Sequence, residues 1–312
     1  MGRSFKSEQP AHAPGGPESA LPVCFSRRLG AVCEVAVAFV FVHVSFRAIK
    51  QFTALGRFDM ASGLNFTPGV VMILFTVAVL LVCRRNFSAY GLTMEQWGDG
   101  VRLGVLWGLV LIGGAGLLML LRIRHQAGGP PPTMREGIAY GFACLGALLI
   151  FARLASREGR SLNRIPTSLC VALLIGLFCL PILLAWHYER PLRGTFLTVA
   201  WLVLGAGIGE EVFFRGYIQS RLNEVFGRPF RLWGVQFGAG LLVSSLLFGF
   251  LHTLNSVDYF HGRFTFAWGY GVAAFGVGLI YGCLREASGS VLAGAVTHSI
   301  LDVLARVPTL MS

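Results

Sequence analysis

Three short motifs in the last third of the chain place ionisable side chains within apolar segments. An ionisable group at membrane depth is costly unless it is paired or faces water, so such groups are functional candidates by default. Together the motifs supply carboxylates, imidazoles and a guanidinium, which suit acid–base chemistry on a buried water. The motifs are Gly209-Glu-Glu-Val-Phe-Phe-Arg-Gly216, Phe248-Gly-Phe-Leu-His252 and His298-Ser-Ile-Leu-Asp302.

The tandem glutamates of the first motif are expected to have different roles. On a helix, Glu211 and Arg215 are four residues apart and share a face, with the acid nearer the amino end, which is the better orientation for an ion pair. Glu210 is rotated by about 100° because of the helical period. The spacing therefore predicts Glu211 and Arg215 as a structural ion pair and Glu210 as the carboxylate that faces a pocket.

The chemistry that these residues allow is hydrolysis. A buried carboxylate can take a proton from water and a histidine can help to hold that water, with Glu210 and His252 as the candidates. The four-residue spacing of the last motif lets Asp302 orient the imidazole of His298, or lets both side chains reach one ligand. A second polar pair of this kind can stabilise the oxyanion of a tetrahedral intermediate.

A bound metal ion is the alternative source of the nucleophile. Glu210, His252 and His298 are ligand types that bind Zn²⁺, which would activate its bound water by lowering the pKa of that water. The His-Glu-x-x-His spacing of the common zinc peptidases is absent from the sequence. The residue types therefore permit Zn²⁺ without requiring it, and no other cofactor is predicted.

The order of the motifs on separate apolar segments resembles a known family. Glu-Glu-x-x-x-Arg, then Phe-x-x-x-His, then His-x-x-x-Asn/Asp is similar to the CAAX prenyl protease and bacteriocin-processing family of intramembrane endopeptidases, also called the abortive-infection family. The resemblance covers roughly residues 195–307, about a third of the chain. It implies that Glu211 and Arg215 are a structural pair and that Phe248 supports the site.

The resemblance also implies the catalytic roles. Glu210 and His252 correspond to the residues that are thought to activate the water, and His298 and Asp302 lie on the oxyanion side. Prenyl-processing members are expected to carry Asn, a neutral donor, where this chain has Asp302. Three explanations stay open: Asp302 is protonated, orients His298 or binds a metal. Members have been described as glutamate-dependent and as metal-dependent, so both mechanisms remain open here.

The elements that must position these residues are membrane helices. The chain has 312 residues, of which 54% are hydrophobic and 13% charged, whereas soluble domains have about 25% charged residues. Apolar stretches of membrane-spanning length predict an all-α polytopic bundle with about eight or nine transmembrane helices and a central polar cavity. The predicted spans are Leu29–Phe46, Thr67–Cys83, Leu103–Leu121, Ile138–Ala152, Ser168–Trp186, Thr195–Ile208, Phe237–His252, Phe266–Leu284 and Ser290–Val307.

The chain divides into three predicted segments. Residues 1–28 are polar and rich in Pro, Gly, Ser and Arg, which is typical of a disordered tail. Residues 29–194 are predicted to be amino-terminal transmembrane helices. Residues 195–307 carry all three motifs and are predicted to be the catalytic core.

Charge and composition indicate the partners and the location. The formal net charge of +11 comes from arginines scattered between apolar runs, a pattern that indicates anionic membrane lipid rather than nucleic acid. Arginine replaces nearly all lysine, which indicates a GC-rich bacterial source and therefore a protein of the bacterial inner membrane. The expected substrate is a membrane-associated or lipidated peptide or protein, and a bacterial source disfavours a prenylated one.

Two other functions are compatible with a polytopic bundle. A noncatalytic scaffold or immunity protein of the same family would keep the bundle and lose polar site residues, but all of the predicted catalytic positions here carry polar groups. A small-solute transporter would show paired halves with interrupted helices, and the sequence has no internal repeat of fixed period. The sequence therefore favours an active intramembrane protease.

Overall fold

A computed structural model describes residues 25–114, 132–158, 165–232 and 234–311 of the protein. These residues form ten helices and two short antiparallel hairpins. The helices are α1 (Phe25–Phe52), α2 (Ala54–Ser62), α3 (Phe66–Val82), α4 (Trp97–Gly114), α5 (Met134–Glu158), α6 (Thr167–His187), α7 (Leu192–Phe226), α8 (Ala239–Thr253), α9 (Trp268–Ser288) and α10 (Leu292–Met311). The strands are β1 (Phe230–Leu232) with β2 (Val235–Phe237), and β3 (Val257–Asp258) with β4 (Arg263–Phe264).

The protein is an integral membrane protein built as a helical bundle. Among the described residues, α1, α6, α7 and α8 with the turn that follows it are long and apolar enough to cross a membrane. Helix α3 is apolar but shorter. The predicted all-α membrane bundle is confirmed in this coarser form, with the two hairpins as an addition, while the number of eight or nine spans stays a prediction.

Several predicted boundaries differ from the structure. The sixth predicted span, Thr195–Ile208, is too short, because α7 continues through the charged motif to Phe226. Charged residues do not end this helix, since Glu211 and Arg215 are fully buried against other helices. Residues 25–28 of the predicted tail belong to α1, and the rest of that tail lies outside the described residues, as does the end of the third predicted span.

Glycines allow α7 to lie very close to α3 and α10. Within α7, residues Trp201–Glu210 and Val212–Gln219 have the π-helical hydrogen-bond pattern, in which each bond spans five residues instead of four. A Cβ atom on Gly207 would collide with the Ser299 hydroxyl of α10, and one on Gly69 of α3 would collide with the backbone of Gly205. The close contacts therefore hold the α7 segment that leads into the tandem glutamates.

A buried carboxylate fixes the connection between α2 and α3. The side chain of Thr53 accepts a hydrogen bond from the Gly56 N–H and caps the start of α2. Asp59 is fully buried and its Oδ2 accepts hydrogen bonds from the backbone N–H and the hydroxyl of Thr67, at 2.8 and 2.6 Å. Gly63, with φ of 67°, ends α2 in the left-handed conformation. These contacts give the connection a defined shape beside α7.

A network around Glu34 ties α1 to the far end of α7. Its carboxylate accepts two hydrogen bonds from Arg85, at 2.6 and 3.0 Å. It also accepts hydrogen bonds from the Tyr217 hydroxyl at 2.7 Å and from Nε of Arg221 at 2.8 Å. Charge-assisted bonds of this kind are stronger than neutral ones, so the network stabilises the packing of the amino-terminal helix on the core.

We predict that Gly69→Ala destabilises the protein and that Gly176→Ala does not. A methyl group at position 69 overpacks the α3–α7 contact, which typically costs about 1–3 kcal/mol, whereas a Cβ at Gly176 of α6 meets no atom within 4 Å. Thermal unfolding of the purified protein in detergent should show a lower Tm for Gly69→Ala only. Equal Tm values for the two variants would show that the close contact is not needed.

Candidate active site

A fully buried ion pair lies at the centre of the site. Arg215 Nε is 3.5 Å from Glu211 Oε2, and both side chains have no exposed surface. Arg215 also donates a hydrogen bond of 3.0 Å to the carbonyl of Gly278 on α9, and its Cζ lies 4.7 Å from the ring centroid of Phe248 on α8. The predicted contact between Glu211 and Arg215 is therefore present, and α8 and α9 contribute contacts to it.

Two glycines leave room for this pair. A Cβ on Gly294 of α10 would lie 2.7 Å from Glu211 Oε2, and one on Gly278 would lie 3.2 Å from Arg215 Nη2. A side chain at position 294 would therefore displace the carboxylate, and one at position 278 would crowd the guanidinium. Helices α9 and α10 thus approach the charged turn of α7 through residues without side chains.

The side chains of Glu210 and His252 face each other across a narrow gap. Glu210 Oε2 and His252 Nε2 are 4.0 Å apart, and 16% of the Glu210 side chain is accessible, in contrast to the fully buried Glu211. The His252 Nδ1 lies 2.8 Å from the carbonyl oxygen of Phe248. Since a carbonyl only accepts, Nδ1 carries the proton and Nε2 of the neutral ring has a lone pair. The 4.0 Å gap is too long for a direct hydrogen bond and suits a bridging water.

His298 lies between two carboxylates. Its Nε2 is 3.5 Å from Asp302 Oδ2, as the four-residue spacing predicts, and its Nδ1 is 3.5 Å from Glu211 Oε1. The ring stacks on Tyr281 of α9, with centroids 4.8 Å apart. The contact with Glu211 was not predicted. Glu211 therefore contacts both Arg215 and His298, and it links the ion pair to the last motif.

The four predicted catalytic residues line one cavity of about 480 Å³. Glu211 and Arg215 lie outside its lining, and Phe248 lines a different pocket. Sequence reasoning missed the other polar residues of the cavity, because they are isolated in the sequence and come from several helices and loops. They are Lys50, Asp59, Asn65, Asn255, Tyr270 and Arg306.

A second and smaller pocket also reaches both histidines. It has a volume of about 40 Å³ and is lined mainly by apolar and aromatic side chains. Phe248 forms part of its wall, together with residues of α5 and α9. Those residues are Tyr140, Tyr270, Ala273, Ala274, Val277 and Tyr281. The histidines therefore lie between a polar cavity and an apolar pocket.

The arrangement does not fit a metal centre. Among the residues that the structure describes, no three His, Cys, Asp or Glu side chains are grouped so that they could hold a metal ion. Glu210, His252 and His298, the predicted ligand set for Zn²⁺, are all within the described part of the chain. No step of the chemistry below therefore involves a metal.

Comparisons with known proteins give one family and one curated relative. Residues 192–304 match the family model described as Rce1-like, "Type II CAAX prenyl endopeptidase Rce1-like". The chain is also 30% identical over 156 residues to a protein of Pasteurella multocida (strain Pm70) named "Probable sugar efflux transporter", a match that covers 46% of this chain and 36% of that protein. The chain thus spans about a third of the length of this relative.

No solved structure matches the chain. The family match begins at the first residue of α7 and ends within α10, so it contains all three motifs and the helices that carry them. Over residues 192–304, the chain is similar to the Rce1-like type II CAAX prenyl endopeptidase family, and this match confirms the family resemblance of its motifs.

Proposed function

We propose that the protein is an intramembrane endopeptidase that hydrolyses a peptide bond of a membrane-associated or lipidated substrate. The observation that carries this proposal is the pair of Glu210 Oε2 and His252 Nε2, 4.0 Å apart on the wall of a polar cavity. Both atoms can accept a hydrogen bond. A water between them donates one hydrogen bond to each, which leaves its lone pairs directed at a substrate carbonyl.

Glu210 is the general base in this mechanism. It takes a proton from the water as the oxygen attacks the carbonyl carbon, and His252 keeps the water in place. The C–N bond then breaks as the proton moves from Glu210 to the leaving amine. A carboxylate within hydrogen-bond reach of the attacking water can carry out both proton transfers.

His298 and Asp302 form the oxyanion side of the site. His298 lines the same cavity as Glu210, but its Nδ1 faces Glu211 and its Nε2 faces Asp302. Donation of an N–H to the tetrahedral oxyanion therefore requires one of these two contacts to open when the substrate binds. The contact of His298 with Asp302, at 3.5 Å, holds the ring in orientation. In this role the carboxylate of Asp302 acts through the imidazole, so it need not contact the oxyanion itself.

The two pockets suit a substrate with an apolar part. The polar cavity, of about 480 Å³, is large enough for water and an unwound peptide. The apolar pocket beside the histidines, of about 40 Å³, is large enough for part of a hydrophobic side chain. We propose a bacterial inner membrane location, with a membrane-bound peptide, a leader or a signal protein as the substrate. The name of the matching family makes a prenylated peptide the other substrate to test.

We predict that Glu210→Gln abolishes cleavage while the protein still folds and inserts into membranes. Gln cannot take the proton from water, and removal of a general base typically costs about 10²–10⁴-fold in rate. Reconstituted protein would be incubated with peptides that carry a farnesyl, an acyl or a transmembrane anchor, and products measured by mass spectrometry. Glu95→Gln, at an exposed position, is the matched control. Cleavage by Glu210→Gln at the wild-type rate would contradict the assignment.

Asp302→Asn is expected to retain most of the peptidase activity. Asn can still form a hydrogen bond with His298 and is the residue expected in prenyl-processing members, whereas Asp302→Leu removes that hydrogen bond. The rates of both variants would be compared with the wild type on the same peptides. Loss of activity in Asp302→Asn to the level of Asp302→Leu would show that the charge of Asp302 is essential.

Removal of one partner of the buried ion pair should destabilise the protein more than removal of both. Arg215→Met leaves the buried Glu211 carboxylate without its cation, which typically costs about 3–5 kcal/mol. The double variant Glu211→Gln with Arg215→Met leaves no uncompensated charge and should recover part of the Tm. A double variant that is less stable than Arg215→Met would contradict a structural ion pair.

Transport is the second candidate function, because the curated relative is named as a sugar efflux transporter. A transporter would move a sugar across vesicle membranes and leave anchored peptides intact. Sugar flux through vesicles of the purified protein, together with no cleavage of any peptide, would favour transport over proteolysis.

A further inference from the structure

A third cavity, of about 310 Å³, lies beside the site and has a different chemistry. It is called the arginine pocket here and is defined by Arg190, Arg306, Thr195, Thr198 and Thr309. Arg306 also lines the catalytic cavity. The lining of the arginine pocket contains two guanidiniums and no carboxylate, so it favours an anion.

The chain connectivity places this pocket at the membrane surface. Helices α6 and α7 are both long and apolar enough to cross a membrane, and residues 188–191 join them. A short link between two consecutive spans must lie at a membrane–water boundary. Trp186 and Tyr188 are 72% and 40% exposed beside the link, as expected for aromatic side chains at that boundary. Arg190 therefore lies at the depth of lipid headgroups.

The hydroxyl groups of the pocket are arranged to accept hydrogen bonds. Thr195, Thr198 and Thr309 each donate their hydroxyl proton to a backbone carbonyl one turn earlier, at 3.2, 2.9 and 2.8 Å. The oxygens of Thr195 and Thr198 keep lone pairs for a donor on a ligand. The pocket thus offers cations for a phosphate and acceptors for a neighbouring hydroxyl or ammonium. A phospholipid headgroup has both, whereas inorganic phosphate matches only the arginines.

We propose that the arginine pocket binds a phospholipid headgroup, with the phosphate between Arg190 and Arg306 and a headgroup hydroxyl on the threonine oxygens. The volume is in the range of small-ligand sites, about 300–1,000 Å³, and basic pockets between membrane helices are known to bind anionic headgroups. Arg306 is one helical turn after Asp302 on α10, so the bound lipid holds that turn beside the catalytic cavity. The binding does not depend on peptidase activity.

The proposal is tested by thermal unfolding of the full-length protein in detergent. Phosphatidylglycerol, which has a phosphate and hydroxyl donors, should raise the Tm more than phosphatidylcholine, which has a phosphate without a donor. Inorganic phosphate at matched ionic strength should have little effect. Arg190→Gln should weaken the affinity for phosphatidylglycerol about tenfold or more. Arg193→Gln is the matched control, because Arg193 is exposed on the first turn of α7 and does not line the pocket.

Two further measurements test the headgroup assignment without changing Arg190. Thr198→Val should reduce the preference for phosphatidylglycerol over phosphatidylcholine, because it removes an acceptor and keeps the shape. Native mass spectrometry of the wild type should show preferential retention of phosphatidylglycerol, which needs no variant. Equal binding of both lipids, equal losses in Arg190→Gln and Arg193→Gln, or a Tm rise with inorganic phosphate as large as that with phosphatidylglycerol would each overturn the headgroup assignment.

Discussion

The burial of Arg215 and Glu211 inside a membrane helix is the constraint on which the rest of the site depends. A buried ion costs several kcal/mol unless its partner and its hydrogen bonds are supplied. The partners come from three other helices: the Gly278 carbonyl on α9, the Phe248 ring on α8 and the space that Gly294 leaves on α10. Because α8 and α10 pack against this pair, the histidines that they carry, His252 and His298, lie beside the same turn of α7.

The same constraint sets the direction of Glu210. Adjacent residues on a helix point to different sides, so burial of Glu211 against α10 turns its neighbour toward the cavity. His298 then contacts Glu211 on one side and Asp302 on the other. The structural pair and the proposed reaction centre are therefore connected through one histidine, and a change in either affects the other.

Local spacing predicted some of this arrangement, and tertiary packing determined the rest. The contacts of Glu211 with Arg215 and of His298 with Asp302 follow from four-residue spacing on a helix. The length of α7 could not be predicted from local spacing. Charged residues normally end an apolar span, and here they are buried by helices that are distant in the sequence. The cavity residues Lys50 and Asp59 were also missed, because their place on the wall of the same cavity as Glu210 depends on how α1 and α2 pack in the bundle.

The proposed reaction requires Glu210 and His252 to hold one water between them. The most direct measurement is an experimental map of the purified protein at a resolution that shows ordered water. We expect a water within hydrogen-bond distance of both Glu210 Oε2 and His252 Nε2, with these two atoms about 4.0 Å apart. A map in which the carboxylate contacts the imidazole directly, or turns away from the cavity, would contradict the proposed reaction.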